Sequence, residues 1–249
     1  MDINETVAVV TGAGSGIGRA LACRLVAAGA RFVVCTDIDA DAARETANLI
    51  GSKAAAEVLD VADQAAIEDL VTRVEAAHGG IDLFVSNAGY ALGGGLNLDT
   101  DQWRDMMEVH LWAHLNAARA VVPGMIARGR GYLLNTASAA GLLTQLDSGP
   151  YAVSKHAAVA LAEWLAIHYG DQGIGVSVLC PQAVRTNILG KPSDRRSQQK
   201  SNSNQAAQDG VLAPETVADD CIQAIIAEQF LVLPHKVVAK YFANKANDY

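Results

Sequence analysis

Short apolar runs alternate with longer segments of helical periodicity along most of this 249-residue chain. Residues 6–10 (TVAVV) form an apolar run that gives way to TGAGSGIG and then to RALACRLVAAGA. The apolar positions of that last segment recur at helical spacing and end at Gly29, so the pattern predicts strand, glycine-rich turn, helix. A second strand is expected over 31–36, ending at Asp37, followed by a helix over 40–50 that Asp39 or Asp41 is suited to cap. Further strands are expected at 54–58 (AAAEV), 81–85 (IDLFV), 132–136, 175–179 (GVSVL) and 230–233 (FLVL). Between and after them come helices at about 63–77, from Thr100 for more than two dozen residues, over 150–169, from Pro214 to about 228, and at the tail. Strands alternating with helices in this way predict an α/β architecture of βαβ units with a parallel sheet. One domain is expected over 1–249, and the polar stretch 191–210 suggests a lid at about 187–213 rather than a linker.

Charge and cysteine content narrow the partners. The net charge is −8 and no Lys/Arg run makes a basic stripe, which argues against nucleic acid or an anionic membrane surface. The start MDINETVAVV has no basic n-region, so no signal peptide is expected. The most apolar helical stretch, 159–167, is broken by Glu163 and is too short to span a bilayer. Cys23, Cys35, Cys180 and Cys221 are scattered in apolar contexts without a C-x-x-C, as in a reduced cytoplasmic protein; no metal site is expected.

The glycine turn adds chemistry. Its pattern is T-G-x-x-x-G-x-G, with Gly12, Gly16 and Gly18 and with Ile17 where a G-x-G-x-x-G motif would need glycine. Glycines there let the backbone approach a pyrophosphate, and the following helix presents free N–H groups to it. Asp37, nineteen residues after Gly18, is placed to accept from ribose hydroxyls and to repel a 2′-phosphate, so NAD is favoured over NADP. Asp37, Asp60, Asn87 and Ser138 all stand at expected strand carboxyl ends, where such sheets bind ligands.

Tyr151 and Lys155 stand four residues apart on the helix 150–169 and leave one face of it. An adjacent ammonium favours the phenolate and makes the phenol a competent proton carrier. Ser138, thirteen positions before Tyr151, is within reach through the intervening loop. One hydroxyl to orient a substrate oxygen and another to exchange its proton is alcohol and ketone chemistry.

Taken together, TGAGSGIG (11–18), Asp60-Val61, NAG (87–89), Ser138, YAVSK (151–155) and PQAVRT (181–186) resemble the short-chain dehydrogenase/reductase family over essentially the whole chain. The resemblance implies an α/β fold with a doubly wound, Rossmann-type sheet of seven parallel strands, helices on both faces, binding NAD(P), and hydride transfer between the nicotinamide and a carbinol or carbonyl carbon. It implies that Tyr151 is the acid/base, that Lys155 lowers its pKa and holds the nicotinamide ribose, and that Ser138 holds the substrate oxygen. It places Gly12, Ser15, Gly16, Ile17, Gly18, Asp37, Asp60, Val61, Asn87, Ala88, Gly89, Pro181, Val184 and Thr186, with Tyr151 and Lys155, at the cofactor.

Two positions depart from the family. His110 stands where the family has an asparagine that helps hold a proton-relay water, and Ala113 replaces the following glycine. A relay through His110, with its own pH dependence near neutrality, is the expectation. Gln182 replaces a common glycine and either faces the substrate or satisfies loop backbone groups. The pocket wall is expected from 91–96 and 141–146, with Leu92, Leu96, Leu142, Leu143 and Leu146 making it apolar, and with Arg195 and Arg196 in the lid. A small hydrophobic secondary alcohol or ketone suits such a wall. The helix 150–169 is apolar nearly all round, which predicts a two-fold interface in a homodimer or homotetramer. The competing reading is a catalytically lapsed NAD-binding sensor or scaffold, resting on His110 alone. Nucleotide-sugar isomerase or dehydratase chemistry would want a larger substrate domain.

Overall fold

A computed structural model describes residues 1–186 and 205–249. Seven strands, β1 (Val7–Thr11), β2 (Phe32–Asp37), β3 (Ala54–Val58), β4 (Leu83–Ser86), β5 (Gly131–Thr136), β6 (Ile174–Leu179) and β7 (Leu231–Val232), form one sheet in the order β3-β2-β1-β4-β5-β6-β7. Every pairing is parallel. The strand order reverses between β1 and β4, the switch point at which such sheets open a crevice above their carboxyl ends.

The period of two along each strand divides the core between the two faces. Val7, Val9, Phe84, Leu133, Val176 and Val178 point to the side covered by α3 (Gln64–His78), α5 (Ala113–Ala127) and α6 (Gly149–Tyr169). Ala8, Val10, Leu83, Val85, Tyr132 and Leu134 point to the side covered by α1 (Gly16–Ala27) and α8 (Pro214–Ile226). Buried on both faces, the strands carry the near-continuous apolar runs seen in the sequence. α2 (Ala40–Ile50) runs from β2 to β3 and is capped by Asp39, whose carboxylate accepts from the N–H groups of Asp41 and Ala42.

The long helix expected from Thr100 is interrupted. It opens as α4 (Thr100–Met107) on a capping box between Asp99 and Gln102. It then widens into a π turn over Glu108–Trp112, where the Ala113 N–H reaches back to the Glu108 carbonyl, and resumes as α5. Neither glycine nor proline marks the π turn in the sequence, and His110 lies within it. A short helix, α7 (Gln205–Gln208), precedes α8, and α9 (Val237–Asn247) closes the chain. Residues 187–204 of the expected lid, Arg195 and Arg196 among them, lie outside the described residues. Among the described residues, no helix is long and apolar enough to cross a membrane, and no group of three or more His, Cys, Asp or Glu side chains is placed to hold a metal ion. All four cysteines are free thiols.

Candidate active site

The carboxyl ends of β1, β4 and β5 are tied together by side chains. Thr11 Oγ accepts from the N–H groups of Asn87 and Ala88 at 2.9 and 3.1 Å. The Asn87 amide donates to the Thr11 carbonyl at 3.0 Å and accepts from the Thr136 hydroxyl at 3.2 Å. Asn87 is therefore a clip beneath the glycine turn, its amide spent on the protein frame.

Gly12, Ser15, Gly16, Ile17 and Gly18 make the turn from β1 into α1. Its tightness is set at Gly18, where a Cβ would lie 2.1 Å from the Gly12 carbonyl oxygen and 2.6 Å from the Asn87 amide nitrogen. α1 has no side-chain cap and no acidic residue in its first turn, which leaves that end of the helix to an anionic ligand. Asp37, at the end of β2, accepts from the Gly14 N–H at 2.8 Å and the Asp39 N–H at 3.0 Å, which aims its carboxylate at the turn. Asp60 and Val61 follow β3, with the Asp60 carboxylate accepting from the Ala62 N–H at 2.9 Å. Pro181, Val184 and Thr186 follow β6, and a cavity of about 450 Å³ opens between Ser15, Gly16, Arg19, Arg185 and Thr186. A narrow turn, an uncapped helix end and a fixed carboxylate one strand away fit a dinucleotide.

Ser138, Tyr151 and Lys155 converge above β5 and β6, and all three are buried. Ser138 caps a short 3₁₀ turn, Ala139–Gly141: its hydroxyl accepts from the Ala140 N–H at 3.1 Å and donates to the Pro181 carbonyl at 3.4 Å. The same hydroxyl lies beside the Tyr151 phenol and acts to lower its pKa. The Lys155 ammonium donates to the Thr136 carbonyl at 2.9 Å and lies 5.7 Å from the centre of the Tyr151 ring.

The electrostatics here run against the sequence expectation. Burial raises the Tyr151 phenol above its ordinary value, and the Ser138 hydroxyl offsets this only in part. Burial also brings Lys155 down to about 7. An ammonium held to a carbonyl does not reverse the desolvation of the phenol, so in the protein alone the two groups lie further apart in pKa than free tyrosine and lysine, with the phenol the higher of the two.

His110 is fully buried beside them, its ring edge-on to Tyr151 at 5.5 Å between centres. Its Nε2 accepts from the Tyr90 backbone N–H at 3.2 Å, and its Nδ1 is 2.9 Å from the Ser154 hydroxyl. Both ring nitrogens are thus engaged, and burial, with Lys155 and then His114 adding repulsion, holds the imidazole well below its ordinary pKa. The expected relay with a transition near neutrality is corrected: with both ring nitrogens engaged and its pKa held well below the ordinary value, the ring serves as a strut between Tyr90 and Ser154.

The expected apolar wall is also redrawn. Only Leu92, with Tyr90 and Ala91, packs at the cluster of Met106, Ala140 and Tyr151. The 3₁₀ turn swings Leu142 into the core, where it is 5% exposed, and Leu143 packs against the same core. Leu146 faces solvent at 86% exposure, as does Leu96. Gln182 faces the protein: its N–H donates to His235 Nδ1 at 3.2 Å and its amide to Asp209 at 3.1 Å, an acceptor shared with Gln205 and Tyr241. It ties the loop after β6 to α7 and α9.

Sequence reasoning missed Thr11, Thr136, Tyr90, Ser154 and His114. The first four act through contacts between distant segments, although Ser154 sits inside the quoted YAVSK. His114, one turn after His110, is buried with neither ring nitrogen hydrogen-bonded to protein, beside a cavity of about 10 Å³ also lined by Thr11, Val61, Ile67, Phe84 and Ser86.

Comparison with known proteins agrees with this arrangement. Residues 6–197 match the family model described as short chain dehydrogenase. The chain is 39% identical over 193 residues to the 1-deoxy-11-beta-hydroxypentalenate dehydrogenase of Streptomyces avermitilis, covering 75% of this chain and 71% of the relative. It is 36% identical over 196 residues to the 2,5-dichloro-2,5-cyclohexadiene-1,4-diol dehydrogenase of Sphingobium indicum, covering 78% of each. In structure it is similar to a short chain dehydrogenase/reductase from Burkholderia phymatum in complex with NAD, with TM-score 0.87, 30% identity, and coverage of 100% of this chain and 95% of that one. A parallel sheet with its switch point at a glycine turn, a buried Ser–Tyr–Lys group on the same rim and a family match over most of the sequence together place the chain in the short-chain dehydrogenase/reductase family of oxidoreductases.

Proposed function

We propose that the chain is an NAD-dependent dehydrogenase or ketone reductase for small hydrophobic secondary alcohols, alicyclic ones foremost. The observation that carries this reading is the convergence of Ser138, Tyr151 and Lys155 on the rim that also bears the glycine turn and Asp37. The nicotinamide cofactor, when bound, supplies the hydride acceptor or donor. Gly12, Gly16, Gly18 and the start of α1 hold its pyrophosphate, and the Asp37 carboxylate accepts from a ribose hydroxyl and disfavours a 2′-phosphate. Ser138 orients the substrate oxygen. Tyr151 takes the hydroxyl proton in oxidation and returns it in reduction. Lys155 stabilises the phenolate while it carries charge, its own position fixed by Thr136. Leu92 and Ala91 offer an apolar wall to the substrate, and the names of the two dehydrogenases above, both acting on cyclic compounds, favour a ring-bearing alcohol.

The outward stripe of α6 supports a two-fold assembly. Val153, Ala157, Ala160, Trp164 and Ile167 recur at three- and four-residue intervals, with Trp164 49% and Ile167 77% exposed in the single chain. The alanines permit close approach of the same helix from a second copy.

NADH formation with a panel of alicyclic, aromatic and sugar alcohols tests the activity. Turnover of alicyclic or aromatic secondary alcohols with NAD is expected. Tight NAD binding with no turnover of any alcohol or matching ketone would sink the reading.

A further inference from the structure

We propose that Ser154 is a positioning residue that, through the His110 ring, clamps the loop after β4 against the start of α6. The inference rests on the reading of Tyr151 as the proton-carrying group, because the clamp holds the wall that faces it.

Each proton in the chain of contacts is determined by its neighbours. The Ser154 hydroxyl donates to the Tyr151 carbonyl at 3.0 Å, so toward His110 it is an acceptor. His110 Nδ1 must then carry the ring proton. That leaves Nε2 bare, as it must be to accept the Tyr90 N–H at 3.2 Å. Only the neutral Nδ1–H imidazole satisfies all three contacts; the other tautomer, or the imidazolium, would set an N–H against an N–H. Ser154 and His110 are both without solvent exposure, so no water substitutes for a missing partner.

The clamp joins the two walls of the site. On one side is the loop of Gly89, Tyr90, Ala91 and Leu92, the last three packed at Tyr151. On the other is the first turn of α6, which carries Tyr151 itself. The fit is close: a Cβ on Gly89 would lie 2.9 Å from His110 Nε2 and 3.7 Å from the Lys155 nitrogen. The ring thus fills the space between loop and lysine. Loss of the Ser154 acceptor releases the ring, and the loop with it, from the register in which phenol, lysine and substrate wall meet.

The first test is ¹H–¹⁵N correlation NMR of the histidine rings in the full-length protein at neutral pH, with His110 assigned by the signals lost in His110→Asn. A neutral ring protonated on Nδ1 is expected. Protonation on Nε2, or a charged ring, overturns the proposal. The second is a double-mutant cycle with NAD and whichever alicyclic alcohol turns over. Ser154→Ala should lower kcat about tenfold with KM for NAD unchanged, a loss of alignment rather than of binding. In a His110→Leu background the same change should add nothing. Independent, additive losses overturn the coupling. If Ser154→Ala does not fold, the ring-proton measurement on the unaltered protein decides. That measurement also separates this proposal from the functional one: turnover retained in Tyr151→Phe would remove the functional reading and leave the clamp standing on its own result.

Discussion

The Asp37 carboxylate reaches from the end of β2 to the glycine turn and accepts the Gly14 N–H at 2.8 Å, so the side chain proposed to meet the adenosine ribose also braces the turn. In the proposed binding mode its charge disfavours a 2′-phosphate. Asp37→Ser should raise KM for NAD about tenfold and lower KM for NADP, the scale of one lost charged hydrogen bond. Steady-state KM values for both cofactors check this; an unchanged ratio would remove Asp37 from cofactor choice.

Tyr151→Phe keeps the ring packed against His110 and Ala140 and deletes only the hydroxyl. Turnover should fall by about 10³-fold or more, with NAD binding by fluorescence retained. His110→Asn should stay within about tenfold of the unaltered protein, because an amide also offers one acceptor and one donor to Tyr90 and Ser154. Equal losses in the two variants would contradict these roles.

Burial raises the Tyr151 phenol and brings Lys155 down to about 7. Oxidation needs the phenol in its basic form and reduction needs the acid, so a raised phenol shifts both limbs to higher pH. The oxidation rate should climb through neutrality into the alkaline range, while reduction holds steady there and declines only above the ordinary tyrosine value. A pH–rate profile flat in both directions would refute proton transfer through Tyr151.

His114 is neutral in the folded protein, its pKa lowered to about 3 by burial and then by Lys155. The unfolded chain binds a proton there below its ordinary value, so the unfolded state gains protons relative to the folded one as pH falls. The associated stability is complete above about 6.5 and is lost toward about 3, at up to about 1.4 kcal/mol per pH unit. His114→Phe removes that slope and fills the adjoining cavity with an apolar ring. Urea unfolding at neutral and acid pH should show a variant at least as stable as the parent near neutrality and less sensitive to acid. An identical acid slope would show that His114 does not contribute it.

Trp164→Glu together with Ile167→Glu alters only the outward stripe of α6. Light scattering should report a two-fold or higher assembly for the parent and a monomer for the double variant, with the fold retained by circular dichroism. A monomeric parent would remove the interface.

Much of this architecture could be read from residue pattern alone, and the failures have a common cause. Strand positions came within a residue or two because burial on both faces writes an unbroken apolar run, and the Tyr151–Lys155 pair was legible because helical spacing fixes which side chains share a face. What escaped was set by tertiary enclosure. The π turn at Glu108–Trp112 carries no breaker residue. Leu142 and Leu146 are alike in sequence, yet the 3₁₀ turn sends one into the core and leaves the other in solvent. Gln182 takes its meaning from Asp209 and His235, far along the chain. The pKa of Tyr151 depends on how completely the fold excludes water, which spacing does not encode.

The contact of Gly18 with the Gly12 carbonyl has a kinetic corollary. A turn whose two ends touch cannot breathe apart from the helix that follows it, so its geometry is settled when the domain folds and not when a nucleotide arrives. The entropic cost of shaping that cradle is thereby charged to folding. Capture by the turn should then proceed in one step, without a slow rearrangement behind it.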